Sequence, residues 1–144
     1  MSYDKLKMYS SFMLDEYSKF IKGIFEELGY TTVGEYFPRG VEEPDKRYLH
    51  ANLPVLGFEA EISVIVQIFQ RDVTTKDVEE FVQIVGNNDL GSEIGIIITT
   101  KNFTGNAIKV GIFNPHKNKF ILVDGEELIE LRNRAFGWSG DEGS

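Results

Sequence analysis

Glu93-Ile94-Gly95-Ile96-Ile97-Ile98-Thr99-Thr100-Lys101-Asn102-Phe103-Thr104 is the stretch on which the fold class turns. The run Ile94 to Ile98 is unbroken, which suits a strand covered on both faces, and it is too short for a buried helix. It ends on hydroxyls. Thr104 then stands as the N-cap of a short helix carrying Ala107, Ile108 and Ile112. A second buried strand is expected at Phe120-Ile121-Leu122-Val123, and Asp124 caps a final helix with Glu127 placed to return a hydrogen bond and Leu128, Ile129 and Leu131 as its apolar face.

Upstream the same reading continues. Val78, Phe81, Val82 and Val85 share a helical face, with Thr74 or Thr75 as N-cap and Gly86 as the stop. Before them, Arg47 to Val55 and Glu61 to Gln70 form a hairpin around a turn region marked by Gly57, and Pro54 suggests an edge or a bulge. Tyr36 to Asp45 is punctuated by Pro38, Gly40 and Pro44 and reads as an exposed loop. The first helix spans about Asp15 to Leu28, with Tyr17, Phe20, Ile21, Ile24, Phe25 and Leu28 recurring at helical spacing, and Gly29 ends it. Strands alternating with short helices give one α/β domain over 1–138, followed by a disordered tail at 139–144.

The 144 residues are 42% hydrophobic and contain no cysteine, which excludes disulfide frameworks, thiolate metal sites and cysteine nucleophiles. No apolar run approaches the roughly 20 residues of a membrane span, and Met1 to Lys5 lacks a signal-peptide pattern, so a cytoplasmic protein is expected. A net charge of -8 argues against indiscriminate binding to nucleic acid. Any such contact must be local, and Ile94 to Val123 offers it: Lys101, Lys109, Lys117 and Lys119 occur there without a single acid. His50 and His116 lack metal-ligand spacing, and no glycine-rich phosphate loop or nucleophile elbow is present.

Three segments together resemble the Mrr-type restriction endonuclease family of the PD-(D/E)xK nuclease superfamily. They are Ile96 to Thr104 with Ala107 following, Phe120 to Leu128, and Val64-Ile65-Val66-Gln67 ahead of Lys76-Asp77-Val78. The likeness covers about residues 12–136 and is specific from about residue 62. It implies a restriction-endonuclease-like three-layer fold, with a central mixed β-sheet flanked by helices, and Mg²⁺-dependent hydrolysis of DNA. In that chemistry carboxylate and amide oxygens hold the metal against the scissile phosphate, and a lysine two residues beyond the second ligand stabilises developing charge.

Carried over by position, Gln67 matches the amide ligand of a Gln-x-Lys pattern, whereas Phe69 stands at the lysine. The resemblance makes Asp45 the literal candidate for the first metal ligand. His50 and Asn52 lie on the strand where a shorter hairpin would place it, and Glu16 matches an acid that some members contribute from the first helix. Asp45, Glu61 and Gln67 are therefore the candidate catalytic set, with Asp45 and Gln67 on the metal, and Arg71, Lys76 or Lys101 would have to replace the missing amine. Glu59 and Glu61 form a further acidic pair. Thr99, Thr100, Lys101 and Thr104 combine hydroxyls, a cation and a helix start at the carboxyl edge of the sheet, a place suited to a DNA phosphate.

The function expected is DNA binding or processing by a domain whose nuclease site is degenerate, acting as a homodimer or beside an active partner subunit. The alternatives are a live Mg²⁺-dependent endonuclease and a protein-interaction module without nucleic acid, the latter favoured by the acidic charge and by Phe69.

Overall fold

The computed structural model describes residues 3–40, 43–55, 60–87, 91–92, 94–112 and 119–137, and within them all side chains except those of 3–12, 32, 39 and 110–112. The expectations for Gly57, Glu59, His116, Lys117 and the tail lie outside the described residues. The elements are α1 (Tyr3–Glu27), β1 (Thr31–Glu35), a 3₁₀ turn (Pro38–Gly40), β2 (Arg47–Pro54), β3 (Glu61–Phe69), α2 (Thr75–Gly86), β4 (Ile94–Thr99), α3 (Gly105–Ile112), β5 (Lys119–Val123) and α4 (Gly125–Phe136).

The five strands lie in sequential order. The β1–β2 and β2–β3 pairs are antiparallel, and β3–β4 and β4–β5 are parallel. The mixture follows from the connections, since the loops that join β1 to β2 and β2 to β3 reverse the chain whereas the helical crossovers α2 and α3 return it in the same direction. Alternation along β3 then divides the core. Val64, Val66 and Ile68 pack with Ile21, Ile24 and Phe25 of α1 and Leu128 of α4, while Ile65 and Phe69 pack with Val78, Phe81 and Val82 of α2 and Ala107 of α3. Each large apolar side chain so buried contributes about 1.5–3 kcal/mol. The result is the three-layer α/β/α arrangement expected, with Ile96, Ile97 and Ile98 of β4 buried on both faces.

The N-cap of α2 is Thr74: its hydroxyl accepts from Asp77 N, and the Asp77 side chain accepts in return from Thr74 N. Asp124 caps α4 by accepting from Glu127 N at 2.9 Å, and Gly137 closes that helix in the left-handed region at φ 70°.

Four local expectations need correction. β2 is an internal strand, and Pro54 sits at its last position, beyond the β1 pairing that stops at Asn52. The sheet irregularity falls instead in β1, between Thr31 and Gly34. β5 is an edge strand, so Ile121 is 41% exposed rather than buried. Phe20 of α1 and Ile129 of α4, both expected on apolar faces, are exposed, while Leu14 is buried and Leu128 is buried as expected.

Candidate nuclease site

The hairpin register places Tyr48 of β2 directly opposite Gln67 of β3. Both side chains lie in the α2/α3 layer, where the Gln67 Nε2 donates to the Tyr48 hydroxyl at 2.9 Å. Gln67 is fully buried, and its Oε1 has no hydrogen-bond partner among the described residues. Burial, reinforced by the nearby charges of Glu43, Asp45 and Glu80 and opposed by the Gln67 hydrogen bond, pushes the Tyr48 phenol above its ordinary range. Tyr48 is therefore a neutral hydrogen-bonding group at any physiological pH.

Two residues along, Phe69 fills the next position on the same face with no exposed surface. Its ring carries two cations: the Arg71 guanidinium lies 4.5 Å and the Lys46 ammonium 5.5 Å from the centroid. An ammonium or guanidinium over an aromatic face is attracted by the ring quadrupole. Each is also held by acids. Arg71 grips Asp77 through Nη1 at 2.7 Å and Nη2 at 2.9 Å, and reaches Asp45 at 2.8 Å. Lys46, buried to its tip, meets Glu43 at 3.1 Å and Glu80 at 3.8 Å. The 3.1 Å contact is an ion pair outside hydrogen-bond geometry, which leaves Glu43 Oε2 without a hydrogen-bond partner among the described residues. Burial raises the Asp77 carboxyl, but the Arg71 bonds and the two from Thr74 more than reverse this and bring its pKa to about 2. The same bonds to Asp77 hold Arg71 above its usual value against the cost of burial.

The acids singled out in the sequence do not converge on Gln67. Asp45 precedes β2, and its carboxylate is committed to Arg71. Glu61 opens β3 six residues before Gln67, about 20 Å away along an extended strand. There it accepts from Thr31 at 3.4 Å. Simple strand geometry thus removes Glu61 from the Asp45, Glu61 and Gln67 set. Asn52 pairs with Ser63, four positions from Gln67 on the ladder. His50 Nε2 contacts Ser63 Oγ at 2.8 Å, and Ser63 contacts Ser92 at 2.6 Å. Glu16 faces outward on α1 beside Lys19. Lys76 and Lys101 are exposed, so neither replaces the amine at Phe69.

At the carboxyl edge of the sheet, Thr99 is buried and its hydroxyl is consumed internally, donating to Arg71 O and accepting from Lys101 N. It cannot face a phosphate. Thr100 is half-buried, whereas Lys101 and Thr104 are exposed. The basic segment is also less compact than its composition suggests, because Lys119 pairs with Ile94 at the opposite end of β4 from Lys101. Lys101, Lys109 and Lys119 thus run along the α3 crossover instead of meeting at one edge.

Sequence reasoning missed Tyr48 and Lys46. The sequence held part of a signal for Tyr48, because a hairpin about the expected Gly57 turn puts residues near 48 opposite 67, and the pairing of Pro54 with Glu61 fixes the register.

The restriction endonuclease family, through its Mrr catalytic-domain model, matches residues 10–132. The chain belongs to this family. Among solved structures, the DNA modification-dependent restriction endonuclease AspBHI is similar over 85% of this chain and 31% of its own, at 16% identity and a TM-score of 0.56. MspJI restriction endonuclease in complex with a 27-mer oligonucleotide is similar over 98% and 32%, at 18% identity and a TM-score of 0.49. The AspBHI likeness shows the fold, and the chain spans about a third of the length of either structure. No curated protein matches the sequence. Among the described residues no helix is long and apolar enough to cross a membrane.

Proposed function

We propose that the chain is a restriction-endonuclease-fold domain that contacts DNA without cutting it. The observation that carries this reading is the filling of the site: Tyr48 and Phe69 flank Gln67 with a neutral phenol and a ring. Mg²⁺ demands near-octahedral oxygen ligands, usually with carboxylates among them. The residues present do not fit it, since Asp45 is held by Arg71 and the described residues include no group of three or more acidic or histidine side chains suited to a metal. We assign no hydrolytic step to these residues.

Family membership supports DNA as the partner, and the exposed Lys101 and Thr104, with Lys109 and Lys119 along the crossover, are the groups left to meet phosphates. The net charge of -8 favours a second reading, a protein-interaction module, and the same experiment separates the two. Purified protein is incubated with supercoiled plasmid and Mn²⁺, and duplex binding is titrated at two salt concentrations. The plasmid stays intact, and affinity falls steeply with salt, with a log–log slope of about -0.9 per phosphate neutralised. The triple substitution Lys101→Gln, Lys109→Gln, Lys119→Gln flattens that slope. Metal-dependent cutting by the wild type sinks the non-cutting reading, and absence of binding at low salt favours the interaction module.

A further inference from the structure

We propose that Tyr48 occupies the place of the missing metal-binding acid and that Lys46, entering just before β2, holds an ammonium beside the position lost at Phe69, so that the site lacks a single group. It deepens the non-cutting reading by naming what is absent.

The first half rests on register. A second ligand on β3 needs its acid on the strand next to it, and the residue facing Gln67 across the β2–β3 pair is Tyr48. The 2.9 Å contact between their side chains shows that positions 48 and 67 face the same layer and lean toward one another. Asp45, His50 and Asn52 fail this requirement: the first is bound to Arg71, and the others point to residues farther along the ladder or pair with Ser63. Gln67 also has an oxygen to offer. Its Oε1 is buried and unpartnered, and a half-turn of the amide about its last torsion exchanges Nε2 for that oxygen.

The second half rests on Lys46. Its side chain is 9% exposed, so the ammonium is directed inward, and it lies 5.5 Å from the Phe69 ring centroid. A lysine at 69 would end in that neighbourhood. Glu43 and Glu80 hold the ammonium in place.

The test is a gain of metal binding by Tyr48→Asp, followed by calorimetric titration with Mn²⁺ and by melting with and without Mn²⁺. The variant is expected to bind one Mn²⁺ on the order of tenfold or more tighter than the wild type and to melt higher in its presence, since carboxylate count sets affinity at oxygen sites. Tyr48→Asn, which buries no charge, is the companion in case the aspartate loosens the fold, and it shows the same response more weakly. Adding Gln67→Leu to Tyr48→Asp removes the response, whereas adding Lys46→Met, which takes a cation away from beside the Phe69 ring and frees Glu43 and Glu80, tightens Mn²⁺ binding, and an unchanged or weaker affinity overturns the Lys46 half. The inference is overturned if the wild type already binds Mn²⁺ as tightly. It is equally overturned if neither Tyr48 variant responds to Mn²⁺ in titration or melting, or if the response survives Gln67→Leu. DNA binding by the wild type is measured separately, so loss of either proposal leaves the other standing or falling on its own data.

Discussion

Replacing both members of the buried Tyr48–Gln67 pair by apolar residues of similar shape, Tyr48→Phe with Gln67→Met, is expected to leave the domain at least as stable as the wild type. The hydrogen bond between them, at 2.9 Å, is worth about 1 kcal/mol net. Against it stands Gln67 Oε1, buried without a partner, whose desolvation costs about 1–3 kcal/mol. Tyr48→Phe alone removes the bond and strands Nε2 as well, so it should destabilise by about 1–3 kcal/mol. Gln67→Met alone loses the bond but also the orphan oxygen, and lands within about 1 kcal/mol of the wild type. The double variant removes every unsatisfied atom of the pair and gains about 0–2 kcal/mol, with a coupling of about 3 kcal/mol between the substitutions. Urea unfolding of the four proteins at constant m measures this cycle, and for a 144-residue domain each kcal/mol shifts the melting temperature by about 3–5 °C. A double variant less stable than the wild type by more than about 1 kcal/mol, or strictly additive single effects, would refute the reasoning and make Gln67 a contributor to core stability. The expected result makes it instead a polar residue that the fold tolerates at a cost.

Three further outcomes follow from the packing of the α2/α3 layer and the sheet edge. Asp77→Asn should destabilise by about 1–2 kcal/mol near neutral pH, a value reduced from the full shift because Arg71 is 39% exposed. The folded carboxyl titrates at about 2, below its ordinary 3.8, so this contribution is complete above about pH 4 and is lost as pH falls through 2. Wild-type and variant unfolding curves should therefore converge in acid, and a difference that persists at pH 2 would contradict the assignment. Gly95→Ala puts a Cβ within 2.8–2.9 Å of Phe81, Phe120 and Val85 and should cost about 1–3 kcal/mol by chemical unfolding, whereas an unchanged midpoint would mean the layer yields freely. Gly125→Ala meets the Thr100 carbonyl oxygen at 2.6 Å, which is backbone and cannot rotate away, so a loss at least as large as that of Gly95→Ala is expected in the same assay.

The sequence by itself settled what local pattern can settle. The isoleucine-rich run Ile94 to Ile98 had to be a central strand because its length and shape fit nothing else, and Gly29, Asp124 and the Thr74 region marked helix boundaries through the chemistry of unpaired backbone groups. The order of strands and helices, the family and the absence of lysine at position 69 were all legible there. Which side chains meet was not. Asp45 and Glu61 looked like metal ligands because an isolated acid carries no information about its partner. Only the packed hairpin committed Asp45 to Arg71 and set Glu61 at the far end of β3. Thr99 looked like a phosphate contact until the sheet edge turned its hydroxyl onto Arg71 O. Tyr48 and Lys46 became site residues through register and through the cation's reach over the Phe69 ring. Periodicity is a property of neighbours in the chain, whereas a site joins residues distant in sequence, and their meeting is decided by strand pairing and by which charges find one another when the layers close.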